Sequence, residues 1–194
     1  EFNASNLLAV YAVAILLGEA PLNVLTALSD LEPPRGRFQL VRSSGGVIGI
    51  VDYAHTPDAL KNVLATINEV CGENEQVITV VGCGGDRDRT KRPVMARIAT
   101  ELSSHVVLTS DNPRMEDPLS IIKDIVAGAS AKNYQIEVDR ALAIYQAIDN
   151  AQPGDIVLIA GKGHEDYQEI AGVRHPFSDQ AHALQALAAR EELA

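Results

Sequence analysis

The stretch QVITVVGCGGDRDRTKR, residues 76–92, decides the fold class. Its first eight residues form a short apolar run rich in valine and isoleucine, which is the composition of a buried β-strand. A glycine-rich loop follows, and apolar spacing then predicts a helix over residues 92–103. Further strands of the same kind are predicted over 47–53, 105–111 and 155–161. Strands that alternate with helices are typical of a mostly parallel α/β sheet with helices on both faces.

The remaining elements complete this alternation. Strands are also predicted over 38–43 and 135–139, and helices near 57–70, 118–128, 140–149 and 179–191. Residues 5–18 and 21–31 carry apolar residues at helical spacing without a strand of their own. The segment EPPRG, residues 32–36, then breaks the helical pattern. We therefore predict a helical segment over residues 1–38 and an α/β domain over residues 39–194.

Composition limits the classes of partner. The net charge is −10, and no apolar run approaches the roughly 20 residues of a membrane helix. We therefore expect a cytoplasmic protein that binds neither nucleic acid nor a membrane, with Cys71 and Cys83 reduced. Four of the sixteen Lys and Arg residues fall within residues 87–92, which suggests a local site for a small anion.

The glycine-rich loop GCGGDRDR, residues 82–89, is the first candidate for binding. Glycines let a ligand approach the backbone, and the start of the following helix favours an anion. The dinucleotide fingerprint GxGxxG is not met, because Arg87 stands where its third glycine would be. This counts against a dinucleotide-dependent oxidoreductase. A tight turn with solvated charges explains the loop equally well.

The loop TSDNPR, residues 109–114, follows the strand predicted over 105–111. The Asn-Pro pair at 112–113 favours a fixed turn, and an arginine held in such a turn is a good fork for a carboxylate. Arg114 is therefore a candidate ligand-binding residue. A turn with an N-capping aspartate is the alternative.

The loop AGKGHE, residues 160–165, follows the last predicted strand. It is not a Walker A loop, since Ile156 occupies the position of the first glycine. Lys162 is a candidate to meet a phosphate, His164 to order the loop, and Glu165 to receive an ammonium group. A surface turn remains the alternative for each of them taken singly.

The segment VDYAHTP, residues 51–57, places Asp52 at the end of a predicted strand. An acidic residue at that point suits the hydroxyl pair of a ribose, and Thr56 suits the N-cap of the next helix. The histidines form no cluster typical of a metal site, so no metal ligand is predicted.

Taken in order, these motifs resemble the Mur ligase family. FNASNLLA (2–9) is similar to the end of that family's central ATPase domain, and GRF (36–38) to its hinge. VDYAHTPDAL, GCGGDRDRTKRP, TSDNPRMEDP, DRALAI and GKGHEDYQ then follow in family order. The resemblance is to the members that add meso-diaminopimelate to UDP-N-acetylmuramoyl-L-alanyl-D-glutamate. Several segments in one order are far more specific than any one alone.

The resemblance implies a Rossmann-like carboxyl-terminal domain of an ATP-dependent peptidoglycan ligase. In such ligases ATP phosphorylates the D-glutamyl carboxylate, and the diaminopimelate amine attacks the acyl phosphate to form an amide. Carried over to this sequence, the ATP-binding residues are Asn3, Asn6, Arg37 and Asp52. The meso-diaminopimelate-binding residues are Arg87, Asp111, Asn112, Pro113, Arg114, Gly161 and Glu165.

The family's phosphate-binding loop, UDP-sugar domain and magnesium-site lysine have no counterpart in these 194 residues. We therefore expect magnesium to be held mostly upstream, and the isolated chain to bind diaminopimelate and part of ATP without catalysis. The implied partners are meso-diaminopimelate, ATP and the UDP-MurNAc-dipeptide. The alternatives are a stand-alone Rossmann-like domain that binds a nucleotide or an amino acid without catalysis, and a lysine-adding member of the family.

Overall fold

The computed structural model describes residues 2–31, 34–42, 44–72 and 74–192, with side chains from residue 6 onward. It divides into two compact units, Glu1–Pro34 and Arg35–Ala194. The first unit contains helices α1 (Phe2–Leu16) and α2 (Pro21–Ser29). The division falls close to the boundary predicted near residue 38. That the first unit is the end of an ATPase domain stays a prediction.

The second unit is built on a six-stranded sheet with the order β1-β2-β6-β3-β4-β5. Its strands are β1 (Gln39–Arg42), β2 (Ile48–Asp52), β3 (Val77–Cys83), β4 (His105–Ser110), β5 (Tyr134–Ile136) and β6 (Ile156–Ala160). Only the edge strand β1 is antiparallel to its neighbour, and the other described pairs are parallel. This confirms the mostly parallel sheet predicted from the sequence.

Helices cover both faces of this sheet, as predicted. Helices α3 (Pro57–Val70), α4 (Lys91–Leu102) and α5 (Pro118–Val126) pack on one face, and α6 (Arg140–Asn150) and α7 (Asp179–Glu192) on the other. Strand β3 is buried along its whole length because its side chains alternate between the two cores. Each buried valine or isoleucine stabilises the fold by about 1.5–3 kcal/mol.

Capping residues fix the points at which three of the strand-to-helix loops end. The Thr56 hydroxyl accepts a hydrogen bond from the backbone of Ala59, which confirms the predicted cap of α3. Asp117 caps α5 in the same way, and Asp139 caps α6. Each cap accepts backbone N–H groups that a helix start otherwise leaves without a partner.

A β-hairpin follows β6 and was not predicted from the sequence. It consists of β7 (Tyr167–Ile170) and β8 (Val173–Pro176). The two residues between the strands, Ala171 and Gly172, have φ angles of 49° and 75°, as a type I′ turn requires. Alanine is not a residue that favours this turn, and β8 is exposed along its length, so the usual hairpin signals are weak.

Among the described residues, no helix is both long and apolar enough to cross a membrane.

Candidate functional site

The loops that follow β2, β6, β3 and β4 lie together at the carboxyl edge of the sheet, because these four strands are parallel neighbours. The loop after β3 has few side-chain atoms because it is rich in glycine, and this lets a neighbouring backbone approach it closely. A Cβ atom at Gly85 would overlap the carbonyl group of Pro113, and one at Gly82 would overlap the carbonyl oxygen of Thr109. The loop after β4 therefore packs directly on the loop after β3.

Lys162 lies where the loops after β4 and β6 meet. Its side chain is completely buried. Its ammonium group donates to Asn112 Oδ1 at 2.9 Å, to Glu165 Oε2 at 3.1 Å and to Asp111 Oδ1 at 3.3 Å. A lysine ammonium has three protons, and these three bonds use all of them. These contacts leave no Lys162 proton for a phosphate in this structure, so they do not support the hypothesis that Lys162 meets one.

Asp111, Asn112 and Glu165, three of the residues implied by the resemblance, are brought together by this lysine. The Asn112 amide donates to Glu165 Oε2 at 2.9 Å and accepts from the backbone of Glu169 at 3.0 Å, which fixes its orientation. The carboxylates remain partly accessible, with Asp111 13% and Glu165 20% exposed. Among the described residues, their side-chain hydrogen bonds fall on one oxygen of each. The second oxygen of each carboxylate has no side-chain hydrogen-bond partner among the described residues.

Arg114 is held beside this cluster by the hairpin. Its backbone has a φ of 53°, its N–H donates to Glu169 O at 2.9 Å, and its carbonyl accepts from Ala171 at 2.7 Å. Its guanidinium donates to Gly85 O at 2.7 Å, and Nε lies 3.7 Å from a carboxylate oxygen of Glu169. The sequence predicted a fixed arginine at this point. The structure shows that hydrogen bonds to the hairpin fix it, in addition to the preceding Asn-Pro pair.

A closed ion pair lies beneath the loops. Arg140 and Asp179 are both fully buried and share two hydrogen bonds of 2.7 and 2.8 Å. The guanidinium also donates to the carbonyl groups of Ser110 and Ala160, the last residues of β4 and β6. Gly161 follows directly with a φ of 120°, which favours glycine. The pair therefore fixes the two strand ends from which the loops leave.

The cation-rich segment 87–92 is largely neutralised within the protein. The buried guanidinium of Arg92 bonds Glu116 at 2.7 and 2.9 Å and Asp124 at 2.9 Å. These bonds from Arg92 lower the pKa of Glu116 to about 2. Arg89 pairs with Asp124 as well, at 2.9 Å. The expectation that the whole cluster forms an anion site is therefore wrong for Arg89 and Arg92.

Arg87 differs from these neighbours because it is exposed. Its described hydrogen bond runs from the guanidinium to the carbonyl oxygen of Asp86, at 3.3 Å. Arg87 lies on the loop that Arg114 contacts through Gly85. It stays a candidate for ligand binding.

The predicted ATP residues of the second unit lie at the end of β2. Asp52 accepts a hydrogen bond from the backbone of Phe38 at 2.7 Å. Burial raises the pKa of the Asp52 carboxyl group, and the charge of Arg37 acts in the opposite direction. A Cβ atom at Gly36 would overlap the backbone of His164. The loop after β6 therefore lies directly against the segment that carries Arg37.

The other two predicted ATP residues lie on α1, in the first unit. Asn6 is exposed, and the side chain of Asn3 lies outside the described residues. Within the described parts of the chain, no group of three or more His, Cys, Asp or Glu side chains is arranged to hold a metal ion. We assign no magnesium ligand to these residues.

Sequence reasoning missed two residues of the site. Glu169, which contacts Arg114 and Asn112, belongs to the hairpin that the sequence did not predict. Arg140 stood in the motif DRALAI without a role. The only available signal was an arginine within an otherwise apolar helix face, which predicts a buried partner but does not identify Asp179.

A comparison with protein families matches residues 36–163 to the model described as "Mur ligase, glutamate ligase domain". The matched range runs from GRF to the middle of the GKGHE motif. It covers β1 to β6 and the loops after β2, β3 and β4, whereas Glu165 and the hairpin lie beyond it.

Two curated relatives carry the name UDP-N-acetylmuramoyl-L-alanyl-D-glutamate–2,6-diaminopimelate ligase. The chain is 57% identical over 183 residues to the relative from Cytophaga hutchinsonii, covering 93% of this chain and 37% of that protein. It is 54% identical over 183 residues to the relative from Bacteroides thetaiotaomicron, covering 93% and 38%. A solved structure of a ligase with the same name has a TM-score of 0.77 at 44% identity, covering 98% of this chain and 39% of that one. The chain thus spans well under half the length of these relatives.

Proposed function

The chain belongs to the Mur ligase family, and from that premise we propose that it supplies the amino-acid-binding part of a diaminopimelate-adding ligase. The whole protein would join meso-diaminopimelate to UDP-N-acetylmuramoyl-L-alanyl-D-glutamate in cytoplasmic peptidoglycan synthesis, with ATP as co-substrate. Relatives that are 54–57% identical and bear this name support the choice within the family.

The observation that carries the proposal is the pairing of opposite charges at one edge of the sheet. Arg114 presents a guanidinium, and Glu165 and Asp111 each leave one carboxylate oxygen for a ligand. An α-amino acid end carries a carboxylate and an ammonium group on the same carbon. Such an end can bind both sides of this cluster by charge-assisted hydrogen bonds. Each end of meso-diaminopimelate has this chemistry.

We propose that the cluster holds the far end of diaminopimelate, so that the opposite amine is the one that reacts. That amine would attack the acyl phosphate formed on the D-glutamyl carboxylate, which forms the amide and releases phosphate. The residues of this chain would bind and orient the amino acid. Arg87, Asn112, Pro113 and Gly161 would complete this binding surface.

For ATP, we propose that Asp52 binds the ribose hydroxyls and that Arg37 lies near the ribose or the phosphates. The carboxylate of Asp52 and the neighbouring positive charge of Arg37 fit that ligand. Asn3 and Asn6 would lie near the adenine. Magnesium would neutralise phosphate charge in the same reaction.

The test is an assay of the full-length protein that contains this chain. Purified protein is supplied with ATP, magnesium and UDP-N-acetylmuramoyl-L-alanyl-D-glutamate, and with either meso-diaminopimelate or L-lysine. We expect the mass of the diaminopimelate amide to appear together with ADP, and little lysine product. The 194-residue chain alone should release no phosphate under the same conditions. Equal use of lysine, or no diaminopimelate-dependent product, would refute the proposal.

A further inference from the structure

We propose that Lys162 is the positioning residue of the amino-acid site. Its buried ammonium group would set the charge and the orientation of Asp111 and Glu165 without touching the ligand. The inference rests on the proposed function. The role that it gives to Lys162 is distinct from phosphate binding.

The first support is the way in which Lys162 joins two loops. Lys162 and Glu165 belong to the loop after β6, and Asp111 and Asn112 to the loop after β4. Strand β3 separates β6 from β4 in the sheet. The backbone bonds between Arg114 and the hairpin also join the two loops, but they do not involve Lys162, Asp111 or Glu165. The ammonium group bonds acceptors from both loops at 2.9–3.3 Å. It therefore fixes the distance between the two carboxylates.

The second support is burial. The Lys162 side chain has no exposed area, and its charge lies 5.6 Å from the centre of the Tyr167 ring. A ligand at the surface of the cluster would meet Asp111 and Glu165, which are partly exposed, before it met the lysine. Lys162 would thus act through these carboxylates.

The third support is the balance of charge. Asp111 and Glu165 both accept a hydrogen bond from the Lys162 ammonium group, so two carboxylates of like charge are held close together. Lys162 supplies one positive charge to these two carboxylates. The buried Arg140 also acts on both of them, but its own charge is paired with Asp179, so one negative charge of the cluster has no paired cation. The ammonium group of an amino acid would supply that cation. The lysine also bonds one oxygen of each carboxylate, and the other oxygens have no hydrogen-bond partner among the described residues.

The experiment compares variants of the full-length enzyme. Lys162→Gln keeps an amide donor and removes the charge, and Lys123→Gln on the exposed side of α5 is the matched control. We expect Lys162→Gln to raise the KM for meso-diaminopimelate by about 10-fold or more, because a binding carboxylate pair loses its cation. The KM for ATP should stay within about twofold, since the hydrogen bonds of the Lys162 side chain go to Asp111, Asn112 and Glu165 and not to Asp52 or Arg37. Lys123→Gln should behave like the wild type.

A double-mutant cycle with Glu165→Gln tests whether Lys162 acts through the carboxylate. If it does, the loss in the double variant should be clearly smaller than the sum of the two single losses, because interacting residues do not contribute additively. Fully additive losses in the two variants would overturn the proposal. A fall in kcat with both KM values unchanged would overturn it as well, because it indicates a smaller active fraction and hence a purely structural role.

If Lys162→Gln does not fold, ¹⁵N-lysine labelling of the unaltered enzyme decides the question. A buried, bonded ammonium exchanges its protons slowly, so Lys162 should give a resolved signal in NMR spectra. Addition of meso-diaminopimelate should shift this signal, and a signal that does not move would overturn the proposal. A wild-type enzyme that forms no diaminopimelate product would instead refute the proposed function, whatever the variants do.

Discussion

Arg140 and Lys162 are completely buried cations at the same edge of the sheet, and they differ in the exposure of their partners. The carboxylate of Asp179 beside Arg140 is also fully buried, and both of its oxygens are bonded. The carboxylates beside Lys162 are 13% and 20% exposed and have one oxygen each available. A closed ion pair can only hold the fold together, whereas an open one can also bind a ligand.

Arg92 forms a third network that lies between these two extremes. Its guanidinium is buried, but its partners Glu116 and Asp124 are 22% and 30% exposed. Both oxygens of Glu116 accept hydrogen bonds, one from Arg92 and the other from Arg92 and the backbone of Asp86. This network therefore holds the loop after β3, and Glu116 has no unbonded carboxylate oxygen left for a ligand.

The largest effect should come from opening the closed pair. Arg140→Met leaves Asp179 buried without a cation, and loss of one partner of a buried pair costs about 3–5 kcal/mol of unfolding free energy. Urea denaturation followed by circular dichroism measures this loss. The exposed Arg97→Met on α4 is the control and should change stability by less than about 0.5 kcal/mol. A similarly small change for Arg140→Met would show that the closed pair does not hold the fold.

Arg114→Ala in the full-length enzyme should have an intermediate effect. We expect it to change the use of the amino-acid substrate and not the stability of the fold. Diaminopimelate differs from lysine by one carboxylate, and Arg114 would stabilise that charge. Use of diaminopimelate should fall on the order of 10- to 100-fold, while the poor use of lysine should barely change. The measured quantity is the ratio of kcat/KM for the two amino acids.

Arg42→Ala, an exposed arginine on β1, is the control for this selectivity experiment and should leave the ratio unchanged. If Arg114→Ala instead impaired both amino acids equally, Arg114 would hold the loop or serve the reaction itself. The exposure of the partner carboxylates would then no longer distinguish an ion network that binds a ligand from one that only holds the fold.

The smallest effect concerns pH and the network of Arg92. Since the pKa of Glu116 is lowered from 4.5 to about 2, its stabilising contribution is present above pH 4.5 and is lost as the pH falls towards 2. Glu116→Gln should therefore lower stability at pH 7, by less than about 1 kcal/mol because the pair is partly exposed. The difference from the wild type should vanish near pH 2. Urea denaturation midpoints measured from pH 2.5 to 7 check this, and a difference independent of pH would contradict it.

Much of the fold could be predicted because its signals are local. The apolar runs of β3 and β6 and the caps at Thr56 and Asp139 each specify their element within a few neighbouring residues. The hairpin at 167–176 could not be predicted in this way. Its turn lacks a favoured residue pair, and its position depends on hydrogen bonds to Arg114, which lies more than fifty residues earlier in the chain.

The residues of the candidate site were suggested by the order of the motifs, but their interactions were not. The sequence offered Lys162 as a candidate phosphate ligand and suggested an anion site at residues 87–92, because an isolated cation in a loop gives no sign of its partner. The structure pairs Lys162 with Asp111 and Glu165, and Arg92 with Glu116 and Asp124. Whether a charge is available to a ligand depends on neighbours that are distant in sequence.

The sequence by itself therefore determined the type of fold, the helix starts and the set of loops at the carboxyl edge, since these follow from local periodicity and strand direction. The tertiary structure alone decided that β6 lies between β2 and β3, which brings the GKGHE loop within reach of the DNPR loop. It also decided which ion networks are closed and which are open. The physical reason is that exposure and charge pairing depend on packing across the whole sheet, which no single segment of the chain encodes.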